Sequence, residues 1–264
     1  MNKGRIAHRF SSAISTYDKA AVEQRHIANQ LFRMLLDYYA QNKVPHPRRV
    51  AEIGCGTGIL SRLLYTNFNP DSLYLNDLCP SVAPIFKDWE KTTFVASDAE
   101  AMEIPTANDL IATSSVIQWF DAPLNFLIGC RNYLADGGIL AVSCFGPNNF
   151  RQIRELTGRG LYYYSIDETV NALAPYYEII VAREEEIEQS FTSPQAVLRN
   201  LKETGVTGLS GGELQGGKEE DFRWSRAKLN SFCSSFIERY PAKYVGPEAV
   251  TLTYHPIYLI LKRK

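Results

Sequence analysis

Three glycines, Gly54, Gly56 and Gly58, occupy alternate positions directly after a short apolar run and a carboxylate, Glu52, in the stretch VAEIGCGTGIL. Glycines packed this closely let main-chain N–H groups approach a ligand, because no Cβ intervenes and positive φ is open to them. Two further acids close later apolar runs, Asp77 in SLYLNDL and Asp98 in TTFVASDA. A carboxylate accepts two hydroxyl donors strongly in a partly desolvated cleft. Together these residues mark a place where the backbone itself must approach a ligand, with two acids nearby. A dinucleotide site would need G-x-G-x-x-G, with the third glycine allowing helix to pack closely on strand. That position is Ile59, which disfavours a nicotinamide oxidoreductase.

The elements that must position this set alternate in type, as βαβ units of a parallel sheet do. RVAEIG (49–54) reads as a first strand and TGILSRLLYTNF (57–68) as the helix behind it. SLYLNDL (72–78) is a second strand, and PSVAPIFKDWEK (80–91) a second helix with Pro80 acceptable in its first turn. TTFVASDA (92–99) is a third strand ending at Asp98, DLIATSS (109–115) a fourth and GGILAVSCFG (137–146) a fifth. APLNFLIGCRNYLA (122–135) has apolar residues at helical spacing, with Asp121 suited to cap it. YEIIVAREEEIEQSF (177–191) and TLTYHPIYLILKR (251–263) read as two longer strands of an antiparallel edge hairpin. Residues 1–48, largely helical, and 193–246, a helix, a glycine-rich loop and another helix, fall outside the alternation. They form an expected N-terminal cap and an inserted lid around a core of residues 49–192 that is completed by a final strand in 247–264.

Composition removes several classes. The 264 residues suffice for one large domain, 45% are hydrophobic and 22% charged, and the formal net charge is −1. No nucleic-acid-binding surface, repeat or disordered tail is indicated. The N-terminus lacks a signal-peptide core, and no apolar run approaches the roughly 20 residues that span a bilayer. The protein therefore reads as cytoplasmic, with no membrane partner. Five scattered cysteines and four dispersed histidines match neither a disulfide framework nor zinc-ligand spacing, so no metal is expected.

The loop with its two strand-end acids resembles the S-adenosylmethionine-dependent methyltransferases of the Rossmann-like class. The resemblance implies an α/β fold with a mostly parallel seven-stranded sheet and an antiparallel C-terminal edge hairpin. It implies that Glu52, Gly54, Gly56 and Gly58 meet the amino-acid part of the cofactor, Asp77 with Leu78 the ribose, and Asp98 with Ala99 the adenine. Ser114, ending the fourth strand, completes the set. A narrower resemblance covers most of the chain. RFSSAISTYDKAAVEQ (9–24), SSVIQWFDAP (114–123), SCFGPNNFRQIREL (143–156), LKETGVTG (201–208) and LTYHPIY (252–258) resemble the malonyl-acyl-carrier-protein O-methyltransferases of biotin synthesis. Departures are Ser115, where Asn is expected, and RNYLADGG in place of the commoner K-P-G-G turn.

That family esterifies the free carboxylate of a malonyl thioester. Such an acid, with a reference pKa near ~4, is ionised at neutral pH, so no general base is required and positioning groups matter more. Tyr17, in the motif Y-D-x-A, is the first candidate; simple packing is its alternative. Gln118 and Trp119 follow strand four, where an aromatic wall would exclude water; core packing of the next helix is the competing reading, more so for Trp119. Arg9, Arg151 and Arg154 are positional candidates for gripping the carboxylate bidentately, or else solvated surface residues. The expected partner is malonyl-acyl-carrier protein, acidic and steered by a basic face. Lys218, Arg223, Arg226 and Lys228 cluster in the insertion, although Glu219, Glu220 and Asp221 beside them equally suit a solvated helix. Oligomeric state is open, and a monomer is compatible with the sequence. Two other readings stand beside this one: a methyltransferase acting on a free carboxylic acid or a quinone, and a cofactor-binding partner without catalysis.

Overall fold

The computed structural model describes residues 1–206, 225–243 and 245–264. Its elements in chain order are α1 (Lys3–Ala20), α2 (Val22–Asn42), β1 (Arg49–Ile53), α3 (Ile59–Phe68), β2 (Ser72–Asp77), β3 (Thr92–Ala96), β4 (Asn108–Ser114), α4 (Pro123–Cys130), β5 (Leu134–Phe145), α5 (Arg151–Thr157), α6 (Ile166–Leu173), β6 (Tyr177–Glu184), β7 (Ile187–Phe191), α7 (Pro194–Glu203), α8 (Arg226–Arg239), β8 (Val250–Tyr254) and β9 (Pro256–Arg263). Seven strands form one sheet in the order β3-β2-β1-β4-β5-β9-β6. β1 to β5 are parallel, and β9 runs antiparallel to both β5 and β6. This is the Rossmann-like arrangement expected. From β1 the chain proceeds first to β2 on one side and later to β4 on the other, so the crevice at the carboxyl ends of these strands opens beside β1.

Each face of the sheet is covered, which is why its strands are apolar on both sides. On one face Ile27, Leu31 and Leu35 of α2 and Leu60 and Leu64 of α3 join a core with Leu73, Leu110 and Tyr258. On the other, Leu127 of α4 and Leu173 of α6 pack with Ile53, Ile111, Val142 and Leu259. α1 and α2 meet at the fully buried Ala21. α1 then crosses toward the insertion: Thr16 Oγ1 donates to the Glu203 carbonyl at 3.1 Å, and Asn200 Nδ2 to that of Ala20 at 3.1 Å.

Three local expectations are corrected. Residues 80–91 form no α-helix but a short 3₁₀ turn over Pro80–Ile85, because Pro84 has no N–H to donate and its ring crowds the preceding turn. Asp121 does not cap α4, whose N-cap is Ala122; its carboxylate is instead held by the N-terminal ammonium of Met1. β3 stops at Ala96, so Asp98 lies in the loop beyond the strand. The two late runs also each divide. β6 and β9 stay in the main sheet, while β7 and β8 pair in a separate two-stranded ribbon. The break between β8 and β9 is His255, only 6% exposed. Its ring Nδ1 accepts the Asn148 N–H at 3.1 Å, its Nε2 lies 3.1 Å from Glu184, and its own N–H reaches Asn149 Oδ1 at 3.3 Å. The F-G-P-N-N-F loop after β5 is thereby moored to the end of the sheet. Replacing His255 with Ala strands the Asn148 N–H. Chemical denaturation is expected to show a loss of about 1–3 kcal/mol, the cost of one unpaired buried group.

Candidate active site

The loop between β1 and α3 has the geometry its glycines permit. Gly54, Gly56 and Gly58 have φ of 71°, 52° and 86°, values that cost side-chain-bearing residues energy. At Gly54 a Cβ would also lie 2.3 Å from Val116 Cγ2, so the loops after β1 and β4 touch through bare backbone. At Gly56 nothing stands within 4 Å of a Cβ position. Gly58 serves differently from the other two: it caps α3, and its Cβ position is 2.9 Å from the Phe86 ring.

A cleft of about 1060 Å³, open solvent at its mouth included, lies above this loop. Its floor contains Glu52, Gly54, Gly56, Asp77, Leu78, Asp98, Ala99 and Ser114; of the expected cofactor set only Gly58 is absent. Asp77 is oriented by main chain: the Gly56 N–H donates to Oδ2 and the Cys79 N–H to Oδ1, both at 2.8 Å. Burial raises its pKa, and these two bonds oppose the rise. Each oxygen keeps a lone pair for a further donor. Glu52 is 2% exposed and its Oε2 has no hydrogen-bond partner. Burial pushes its pKa up to about 8, against the opposing influence of the Ser61 hydroxyl. A carboxylate so desolvated calls for a cationic donor. The Ser114 hydroxyl accepts from Ser143 Oγ at 2.8 Å.

One stripe of α1 roofs the cleft: Lys3, Ile6, Phe10, Ile14 and Tyr17 all line it, at the three-and-four spacing of a helix face. Three ties hold α1 to successive strand-end loops. Lys3 Nζ donates to Asp98 Oδ1 at 2.7 Å and to Glu100, after β3. Ser11 Oγ is 2.9 Å from Cys79 Sγ, after β2. Asp18 accepts from the Thr57 hydroxyl, after β1. Burial lowers the Lys3 pKa, but the Asp98 and Glu100 carboxylates outweigh it and leave the ammonium above the ordinary lysine value. Tyr17 is driven well above the ordinary phenol range, first by burial and then by Asp77 and Asp18, so its hydroxyl remains a donor.

Beyond Tyr17 the cleft adjoins an inner chamber of about 350 Å³, with which it shares Phe10, Tyr17, Gln24, Ser115 and Trp119. Gln118 lines this chamber and not the cleft; its Nε2 donates to the Ser115 carbonyl at 2.7 Å and its Oε1 is buried without a partner. Trp119 packs edge-on against Phe10 with ring centroids 6.0 Å apart and borders the cleft, the inner chamber and an outer chamber of about 400 Å³. Arg154 and Arg159 line the outer chamber. Arg151 pairs with Glu186 at 3.0 Å and Glu188 at 3.4 Å, and Arg9, half-buried on α1, lines none of the three. Of the insertion's basic residues, Arg226 and Lys228 are exposed on α8; Lys218, Arg223 and the acids beside them lie outside the described residues. Sequence reasoning missed Lys3, Gln24 and Ser115. Gln24 stands on α2, past the break at Ala21 that separates it from Tyr17 on α1, so no helical spacing linked the two. Ser115 betrays itself only by its φ of 60°.

The Methyltransferase domain family matches residues 51–142, the segment from β1 into β5. A malonyl-acyl-carrier-protein O-methyltransferase of Bacteroides thetaiotaomicron is 44% identical, covering 100% of this chain and 99% of its own length. One from Acinetobacter baylyi is 34% identical over 100% of this chain and 98% of its own. The chain belongs to the malonyl-acyl-carrier-protein O-methyltransferase family. The family's fold extends further: the YcgJ protein of Bacillus subtilis superposes with a TM-score of 0.59 at 12% identity, over 89% of this chain and 99% of that one. A Haemonchus contortus phosphoethanolamine N-methyltransferase, solved with S-adenosylhomocysteine, gives 0.52 at 15% identity, over 89% of this chain and 52% of that one. No helix among the described residues is long and apolar enough to cross a membrane.

Two outcomes follow for this methyltransferase fold. Gly54→Ala forces a methyl into Val116 and should destabilise the protein; adding Val116→Ala should restore part of the melting temperature but not the roughly 1–2 kcal/mol cost of positive φ. Glu52 binds its proton more tightly folded than unfolded, since its pKa is about 8 against an ordinary 4.5. The folded state therefore holds more protons between those values, and stability should fall as pH rises through that window. Urea titrations across it should show the slope in the wild type and its loss in Glu52→Gln.

Proposed function

We propose that this chain transfers a methyl group from S-adenosylmethionine to the free carboxylate of malonyl-acyl-carrier protein, or of malonyl-CoA, giving the methyl ester that primes pimeloyl-chain synthesis for biotin. When bound, the cofactor supplies an electrophilic sulfonium methyl: the carboxylate oxygen forms the O–CH₃ bond as the C–S bond breaks, the electron pair stays on sulfur, and no proton moves. The unpartnered Glu52 Oε2 suits the cofactor's α-ammonium. Gly54 and Gly56 present bare main chain to its methionine part. Asp77, held by two N–H groups, keeps acceptor capacity for the ribose hydroxyls, with Leu78 beside it, and Asp98 with Ala99 would meet the adenine. Gly58 shapes the loop from behind.

The observation that carries the reading is the inner chamber. It adjoins the cleft through Tyr17, Ser115 and Trp119, and among the described residues no His, Lys, Asp or Glu lines it. An acceptor that needed deprotonation would find no base there; a carboxylate needs none. Tyr17 and Gln118 would orient the acceptor while Trp119 and Phe10 keep water out, and good orientation recovers roughly 7–11 kcal/mol of barrier. Residues 1–48 and the insertion 193–246 act as cap and lid in this reading, residues 49–192 as the cofactor-binding core and 247–264 as the segment that supplies its final strand, β9. The five free cysteines, all buried, are in keeping with a reducing cytoplasmic setting.

Purified protein incubated with methyl-labelled cofactor and malonyl-acyl-carrier protein should form a labelled ester. Free malonate and a quinone precursor, run in parallel, should stay unlabelled. Label on the quinone alone, or cofactor binding without turnover of any acceptor, would overturn the assignment.

A further inference from the structure

Gln24 opens α2, just past the break at Ala21 between the two capping helices. It is 8% exposed and lines both the cofactor cleft and the inner chamber. Its Oε1 is buried with no hydrogen-bond partner. Leaving an amide oxygen buried and unpaired costs about 1–3 kcal/mol, so its presence between two cavities asks for a ligand. Around it, Ser115 Oγ and Gln118 Oε1 are likewise buried and unpartnered, and all three residues line the same chamber.

The rest of that lining explains why an amide is useful. The inner chamber is bounded by Phe10, Tyr17, Trp119, Phe145, Tyr163 and the polar residues just named, with no ionised side chain among the described residues. The two arginines of this region, Arg154 and Arg159, line the outer chamber instead. Methyl transfer to a carboxylate annihilates charge: the acceptor is fully anionic at the start and partly neutral at the transition state. A guanidinium on the reacting carboxylate would favour the ground state over the transition state and raise the barrier, because only interactions that grow along the reaction accelerate it. In a chamber with few competing dipoles that penalty is large. Neutral N–H and O–H donors hold the same oxygens with less bias.

We infer that Gln24 is a catalytic residue that holds the acceptor carboxylate through its neutral amide, together with Gln118 and Tyr17, and that the arginines do not touch the reacting group. With no partner among the described residues to fix it, the Gln24 amide can turn its Nε2 toward an anion by rotating about its terminal torsion, at almost no change in shape. Gln118 differs, being anchored by Nε2 to the Ser115 carbonyl at 2.7 Å, which leaves it one N–H to give. The inference rests on the carboxyl-methylation reading above and specifies how that site grips its substrate.

The test replaces Gln24 with Met, which keeps the length and removes the hydrogen bonds. Three quantities are measured for wild type and Gln24→Met: melting temperature, calorimetric affinity for S-adenosylhomocysteine, and affinity and turnover for malonyl-acyl-carrier protein. The melting temperature should hold or rise, since a buried unpaired amide is gone. Affinity for S-adenosylhomocysteine should stay within about threefold, while kcat/KM for the acyl acceptor drops by roughly 10- to 100-fold, the worth of one bond to an ionised group. Binding of the malonyl thioester to the S-adenosylhomocysteine complex should weaken in parallel. Unchanged acceptor kinetics sink the assignment, as does a loss confined to cofactor affinity, which would make Gln24 a cofactor ligand. If wild type itself forms no ester on the malonyl thioester, the functional reading fails and takes this assignment with it; failure in Gln24→Met alone leaves that reading standing.

Discussion

The arrangement of the site depends on the contact between Gly54 and Val116, where a methyl on either the backbone or a side chain decides whether two loops can meet. No Cβ fits at Gly54, because Val116 Cγ2 already stands 2.3 Å from where it would lie. The loops after β1 and β4 are thereby pressed together at the switch point of the sheet. One consequence is that the cleft and the inner chamber become neighbours, sharing Phe10, Tyr17, Gln24, Ser115 and Trp119. Another is that Ser115 takes φ of 60°, the chain turns sharply, and Gln118 and Trp119 come to lie beside Tyr17 without belonging to the same element.

Desolvation then sets the electrostatics of the two compartments in opposite ways. In the cleft, Glu52 and Asp77 are buried acids whose pKa values are raised, so each is a group waiting for a positive or donating partner. Lys3 neutralises the acids after β3 and in doing so ties the start of α1 across the cleft. In the inner chamber, burial acts on neutral groups only, and polarity comes from amides, hydroxyls and an indole. A cationic ligand and an anionic acceptor would thus meet where the protein itself adds little net charge. Apposed charges in such a place attract strongly and lose their water.

α1 belongs to both compartments. Its apolar stripe closes the cleft, and its ties reach the loops after β1, β2 and β3 in turn. The insertion braces it from outside through Thr16 and Asn200. Individually such half-exposed contacts contribute little; their value lies in spanning loops that each carry a residue lining the cleft.

Much of this was legible in the chain alone. The alternation of β-branched runs and amphipathic stretches determined the parallel core, because strand and helix periods are local properties of the residues themselves. Glu52, the glycines, Asp77 and Asp98 could be read as one set, since each lies at or just beyond the end of a strand and strand ends of one sheet converge. Local signals failed where a local rule was overruled, as at Pro84, which stopped a helix, and at Asp121, whose carboxylate went to the N-terminus rather than to a cap. What only the tertiary structure decided is the chamber: which of Gln24, Ser115, Gln118 and Trp119 face a common space, and that Arg154 and Arg159 line a different one. Those four chamber residues come from two segments some ninety residues apart, and whether a side chain points into a cavity depends on the packing of both at once, which no spacing within one segment encodes.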